Sequence, residues 1–171
     1  LRIGSFRENI DNLSKNKIIN KREESILLTS LLYATDKVAN TCGHYDAFRK
    51  NLDMQNRIQF KLPNYNKDKK LKAKIYKENA NDLVKYIYSD IIYIDPPYNS
   101  RQYSDAYHLL ENLINWQKPE LFGVAKKYLN RANIKSLFCT KKAPIVFEEL
   151  VTNLECKYII VSFNNMENRG N

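Results

Sequence analysis

Asp95, Pro96, Pro97 and Tyr98 stand in a row directly after the apolar run IIYI, within the stretch YIDPPYNSRQYS. Asp95 precedes a proline, which steers it to extended backbone, and Pro96 is restrained in turn by Pro97, so the hinge is stiff. Such a hinge aims the Asp95 carboxylate and the Pro96 carbonyl at one small group. Two acceptors match the two hydrogens of an exocyclic amine, and Tyr98 offers a flat face to the ring that bears it. An aromatic amine is a poor nucleophile because its lone pair is delocalised into the ring. Acceptors that hold its hydrogens draw the nitrogen toward tetrahedral geometry and free the pair for attack. Against the methyl carbon of a sulfonium, this is an in-line methyl transfer in which the site supplies positioning and electrostatics. A strand that ends on an Asp-Pro turn is also a common structural device. The buried strand before the motif, the aromatic directly after it and the basic chain around it favour chemistry.

The elements that must hold this motif follow from apolar spacing. Leu27, Leu28, Leu31, Leu32 and Val38 recur at helical intervals and predict an amphipathic helix from Glu24 to Asn40, stopped by Gly43. NRIQFKLP and KLKAKIYKE read as two short strands around the exposed loop NYNKDKK. NDLVKYIY has weak helical spacing, and DIIYI reads as a strand buried on both faces of a parallel sheet. SDAYHLLENLINW predicts a helix with Ser104 or Asp105 as its N-cap, and APIVFEELVTNLE a helix opened by Pro144. A second buried strand follows in KYIIVSF. Strand, helix, helix, strand is α/β layering around a parallel sheet. In such sheets ligands bind beyond the carboxyl ends of the strands, which is where the DPPY tetrad falls.

The chain has 171 residues, 43% hydrophobic and 27% charged, enough for one globular domain of residues 1–171 and far from a disordered composition. Its net charge of +9 favours a polyanionic partner, most commonly nucleic acid. Cys42, Cys139 and Cys156 stand far apart, as do His44 and His108, so no metal-binding spacing exists and the thiols read as reduced. Neither histidine is placed as catalytic; both read as structural or surface residues. No apolar run approaches the roughly 18 residues needed to span a bilayer, and LRIGSFRENI lacks the apolar core of a signal peptide. The expectation is a soluble cytoplasmic protein.

The tetrad and its surroundings resemble the DNA N6-adenine methyltransferases with a DPPY motif, the group of bacterial DNA adenine methylases. DIIYIDPPYNSRQYSDAYHLLENL is similar to that group's catalytic strand, loop and helix, TCGHYDAFRK to a shared upstream segment, and KYIIVSFNN to a later strand with a Ser-aromatic-Asn ending. The resemblance implies a Rossmann-like methyltransferase fold, a three-layer parallel sheet, incomplete here. It implies methyl transfer from S-adenosylmethionine to N6 of an adenine flipped out of double-stranded DNA. Asp95 and Pro96 would accept from the amine, Pro97 would stiffen the turn, and Tyr98 would stack on the base. Asn79 or Asp82 would bind the cofactor's adenine. Arg101, Tyr103 and Ser104 would face the DNA, with Lys141 and Lys142 ending a target-recognition segment over 117–142. Ser162, Asn164 and Asn165 would border the base pocket.

One hallmark of the family is missing. Its cofactor turn is usually Phe-x-Gly-x-Gly, whereas Gly4, Gly43, Gly123 and Gly170 lie too far apart to form it. The expectation is therefore a piece of a methyltransferase that relies on a complementary cofactor-binding half, upstream or on another chain, with a cognate restriction enzyme as a further partner. Cytosine-ring chemistry is excluded in its usual form because no cysteine follows a proline. Protein-glutamine methyltransferases of similar fold carry Asn where Asp95 stands. An RNA adenine methyltransferase and a non-catalytic DNA-binding subunit remain as alternatives.

Overall fold

The computed structural model describes residues 2–41, 45, 47, 49, 57–64, 72–97, 99–124, 126–129 and 131–163. They form two compact units: Leu1–Lys69 with Ser104–Arg131, and Lys70–Tyr103 with Ala132–Asn171.

The first unit is helical. Helix α1 (Arg2–Lys15) packs on α2 (Lys21–Val38), and Ile10, Leu31 and Leu113 form a buried centre ringed by Ile3, Leu27, Leu28 and Trp116. Asn20 caps α2 through a reciprocal box: its side-chain oxygen accepts from the Arg22 and Glu23 N–H groups, and the Glu23 carboxylate accepts from the Asn20 N–H. The helix ends by Ala39, ahead of the expected glycine stop, and Gly43 lies outside the described residues. No apolar pattern announced α1, because a cation occupies one of its inward positions. Arg7 is buried, and donates from Nε to the Leu113 carbonyl at 2.8 Å and from Nη2 to that of Ile114 at 3.0 Å. Those carbonyls lie in the last turn of the helix His108–Asn115, where intrahelical donors run out.

The second unit holds the sheet. Helix α3 (Ala80–Leu83) is a single turn, much shorter than the NDLVKYIY spacing suggested, and leads into β1 (Tyr88–Ile94). After β1 the chain passes into the first unit through α4 (Tyr103–Ala106) and α5 (His108–Asn115), in place of one continuous helix. Ser104 and Asp105 therefore lie inside α4 and do not cap the longer helix, whose N-cap is Tyr107. A hairpin of two-residue strands, β2 (Leu121–Phe122) and β3 (Lys127–Tyr128), turns through Gly123 at φ 74°. Two 3-10 turns, Arg131–Ile134 and Leu137–Cys139, precede α6 (Ala143–Thr152), with a proline in its first turn, and β4 (Glu155–Val161).

Strands β1 and β4 pair in parallel, Ile92 opposite Ile159 and Ile94 opposite Val161, as the α/β reading required. The expected burial on both faces is not observed. Ile92 and Ile94 turn to a core of Val84, Leu150, Phe147 and Val151, while Ile91 and Tyr93, on the alternate face, are 58% and 62% exposed. Residues 57–64 and 72–77, expected to include strands, are without helix or strand. The alternation has a strand's period of two, but Leu62 and Ile75 stay 69% and 94% exposed, and no strand among the described residues pairs with either segment.

Candidate active site beyond the strand ends

The DPPY hinge leaves the C-terminal end of β1. Asp95 is exposed, Pro96 buried and Pro97 half-buried. Among the described residues no group donates to the Asp95 carboxylate, and no backbone N–H is bonded to the Pro96 carbonyl. Among the described residues, both acceptors expected to hold an amine are therefore uncommitted. Tyr98 lies outside the described residues, as do His44, Asn164 and Asn165.

Pro96 and Pro97 form one wall of an apolar cavity of about 520 Å³. Val161 and Phe163, at the end of the neighbouring strand, form the second wall, and Phe138, Pro144 and Phe147 close it from the 3-10 turn and α6. The Ser162 N–H donates to the Ile94 carbonyl at 2.9 Å, so the parallel ladder continues past β4 and carries Phe163 beside the hinge. A cavity lined by flat rings at the carboxyl ends of two parallel strands suits a planar heterocycle. Pro96 lines the cavity, and Asp95, the residue before, is exposed.

The loop after the tetrad is pinned from behind. Asn99 Oδ1 accepts from the Arg101 N–H at 2.9 Å, an Asx turn. Gln102 then makes a reciprocal pair with Ser136: its Nε2 donates to the Ser136 carbonyl at 3.1 Å, and its Oε1 accepts from the Ser136 N–H at 2.8 Å. The buried Cys139 thiol, its pKa raised by burial, donates to the Arg101 carbonyl at 3.3 Å. The Arg101 backbone is thus fixed while its side chain is exposed. Sequence reasoning missed Gln102, Phe138 and Phe163. The placement of Phe163 next to Ser162, already singled out, was the available signal.

The remaining candidates are dispersed. Lys141 and Lys142 are exposed and immediately precede Ala143 and Pro144 of the cavity wall. Tyr103 is 55% exposed, and Ser104 Oγ is buried without a partner among the described residues. His108 is 2% exposed, with Nδ1 at 2.8 Å from the Asp105 carbonyl, a structural position. Asn79 caps α3 by accepting from the Asn81 N–H, and Asp82 pairs with Lys85 at 3.1 Å. Both are exposed, and neither borders the cavity. Each has one oxygen engaged locally, and with no glycine turn in the chain the described residues do not make up a complete methyl-donor site. Among the described residues no His, Cys, Asp and Glu cluster could hold a metal ion, and no helix is long and apolar enough to cross a membrane.

The profile of the D12 class N6 adenine-specific DNA methyltransferases matches residues 4–169. Among individual proteins, the chain is 38% identical over 162 residues to the modification methylase StsI of Streptococcus sanguinis, covering 94% of this chain and 25% of that protein. It is 36% identical over 169 residues to the modification methylase LlaI of Lactococcus lactis subsp. lactis, covering 96% and 27%. It is 35% identical over 166 residues to the type II methyltransferase M.NlaIII of Neisseria lactamica, covering 96% and 49%. The chain thus spans between a quarter and half of the length of these relatives. No solved structure matches it.

Proposed function

The chain belongs to the D12 class N6 adenine-specific DNA methyltransferase family, and on that premise we propose that it carries the target-base half of such an enzyme. The observation that supports this most is an apolar cavity walled by Pro96 and Pro97 directly after Asp95, where neither the Asp95 carboxylate nor the Pro96 carbonyl has a partner among the described residues. An adenine flipped out of the duplex enters with its ring against Pro97 and Phe163 and its amine at the rim. Asp95 and Pro96 take the two amine hydrogens, and Tyr98 stacks on the base. Extrusion costs a few kcal/mol of stacking and pairing, which these contacts offset in part. Because the proton leaves only after the nitrogen has been alkylated, no general base is required, and no histidine is assigned one.

The donor, S-adenosylmethionine, is held by a complementary cofactor-binding segment. Ile91, Tyr93, Tyr158 and Ile160 share the open face of the β1–β4 pair and are all more than half exposed, an apolar surface that suits the layer of such a segment. Arg101, Lys141 and Lys142 meet the DNA around the cavity mouth.

The test is methyl transfer to duplex DNA by the full-length protein, with N6-methyladenine measured by mass spectrometry. Wild type is expected to form it, and Asp95→Ala to lose roughly 10²–10³-fold in rate, the range for removing one preorganised electrostatic contact. A wild type that methylates only cytosine, or nothing, overturns the function. Full activity in Asp95→Ala overturns the clamp.

A further inference from the structure

A second recess lies in the helical unit, on residues to which the base site gives no task. Ala34, Lys37 and Val38, one face of the last turn of α2, meet Arg57 and Gln59 around a groove of about 340 Å³. Ala34 is 3% exposed and forms the floor with Val38, so the floor is small and apolar. The rim is polar: an ammonium, a guanidinium and an amide, with no carboxylate among the described residues that line it. Neither Lys37 nor Arg57 pairs with another described residue. The carbonyl end of α2 carries about half a negative charge, which two full cations exceed. Asp36, next in sequence, accepts from the Tyr45 hydroxyl at 2.7 Å and does not line the groove.

A floor of aliphatic carbon beneath two cations and one amide matches the alternation of deoxyribose and phosphate along a nucleic-acid strand. Deoxyribose lies on alanine and valine, phosphate oxygens accept from Lys37 and Arg57, and the Gln59 amide donates to a phosphate or sugar oxygen. We propose that this groove seats the sugar-phosphate backbone of DNA, a contact separate from the one that holds the target base. The proposal rests on the reading of the chain as a DNA-binding protein. It gives the basic balance of the chain, +9 overall, a defined place of action on the helical unit.

Fluorescence anisotropy of a labelled duplex, titrated with the full chain from about 50 to 200 mM salt, tests it. Removing one cation that neutralises a phosphate lowers the slope of log K against log salt by about 0.9. Lys37→Ala/Arg57→Ala is expected to reduce the slope by about 1.8 and to weaken binding about equally on duplexes of unrelated sequence. Lys37→Arg/Arg57→Lys should keep the wild-type slope, which shows that charge in the groove is what matters. The control, Lys15→Ala/Lys21→Ala, removes two cations that pair with Asp11 and Glu24 outside the groove, and should change the slope little. If the groove variant binds as wild type does, or the control reduces the slope as much, the groove proposal fails and the DNA reading stands. If wild type shows no salt-dependent binding, both fall.

Discussion

The helical unit and the sheet unit solve the same burial problem to different degrees. In the helical unit, Leu31 is fully enclosed, α2 is capped by its own box, and the open carbonyl end of α5 is bonded by Arg7. In the sheet unit only one face is finished. Val84, Ile94 and Leu150 are buried beneath α3 and α6, while the other face shows Ile91, Tyr93, Tyr158 and Ile160 to solvent. The first unit is closed by residues of its own, and the second has one side of a layered fold. The proposed chemistry is on the second. Its tetrad is complete, yet the surface that suits a donor-binding layer is bare.

The largest effect expected of the closed unit comes from its centre. Leu31→Ala removes a side chain that is 0% exposed and packed between Ile10 and Leu113, and should cost about 2–5 kcal/mol, read as a lower urea midpoint by circular dichroism. A loss below about 1 kcal/mol would break the comparison, because a unit that tolerates such a cavity is not closed.

The next effect belongs to the sheet unit and to the loop that carries the hinge. Gln102→Ala deletes both halves of the pair with Ser136 and should cost about 1–2 kcal/mol locally. The expected signature is faster hydrogen exchange at the Ser136 amide, with the amides of α2 unchanged. Unchanged exchange at Ser136 would mean that the loop is held by something other than Gln102.

What could be read from sequence divides along the same line. The parallel strands and α6 were legible because their apolar residues come in runs or at helical spacing, and the hinge was legible because Asp95, Pro96 and Pro97 restrict each other chemically. Helix α1 was hidden because its inward position is Arg7, whose role depends on carbonyls more than a hundred residues away. The cavity wall was hidden for a similar reason. Phe138 sits in a 3-10 turn and Phe163 past the end of β4, where no periodicity marks the side that faces inward. The bare face was misjudged because DIIYI has the composition of a strand covered on both faces, whereas the described residues bury only one.

Acid sharpens the contrast from the side of the helical unit. The Glu24 carboxylate accepts from Lys21 at 2.8 Å and from Ser14 Oγ at 2.9 Å, and these bonds, Lys21 first, hold its pKa below the ordinary 4.5. A carboxylate held down in the folded state adds stability above its unfolded value, and this is lost as pH falls through the folded one. Glu24→Gln should therefore cost under about 1 kcal/mol at neutral pH and flatten the acid side of the stability curve below 4.5. An unchanged curve would mean that the tie between α1 and α2 through Ser14 contributes nothing measurable.

The smallest change in stability is the one that decides whether the two faces of the sheet differ in solution as they do in the structure. Tyr93 and Ile160 are 62% and 52% exposed, register partners on the open face, so Tyr93→Ser/Ile160→Ser should move the unfolding free energy of this chain by no more than about 0.5 kcal/mol. Binding of an apolar fluorescent dye should fall at the same time, because the patch it reports has been made polar. One residue further along the same strand, Ile94→Ser places a hydroxyl in the closed core and should destabilise by several times as much. Equal losses from the two faces would mean that the open face is covered when the chain folds, and the case for a complementary layer there would fail. A neutral double variant that also prevents the full-length protein from binding S-adenosylmethionine would instead tie the bare face to the donor half, since the loss of binding could not then come from unfolding of this chain.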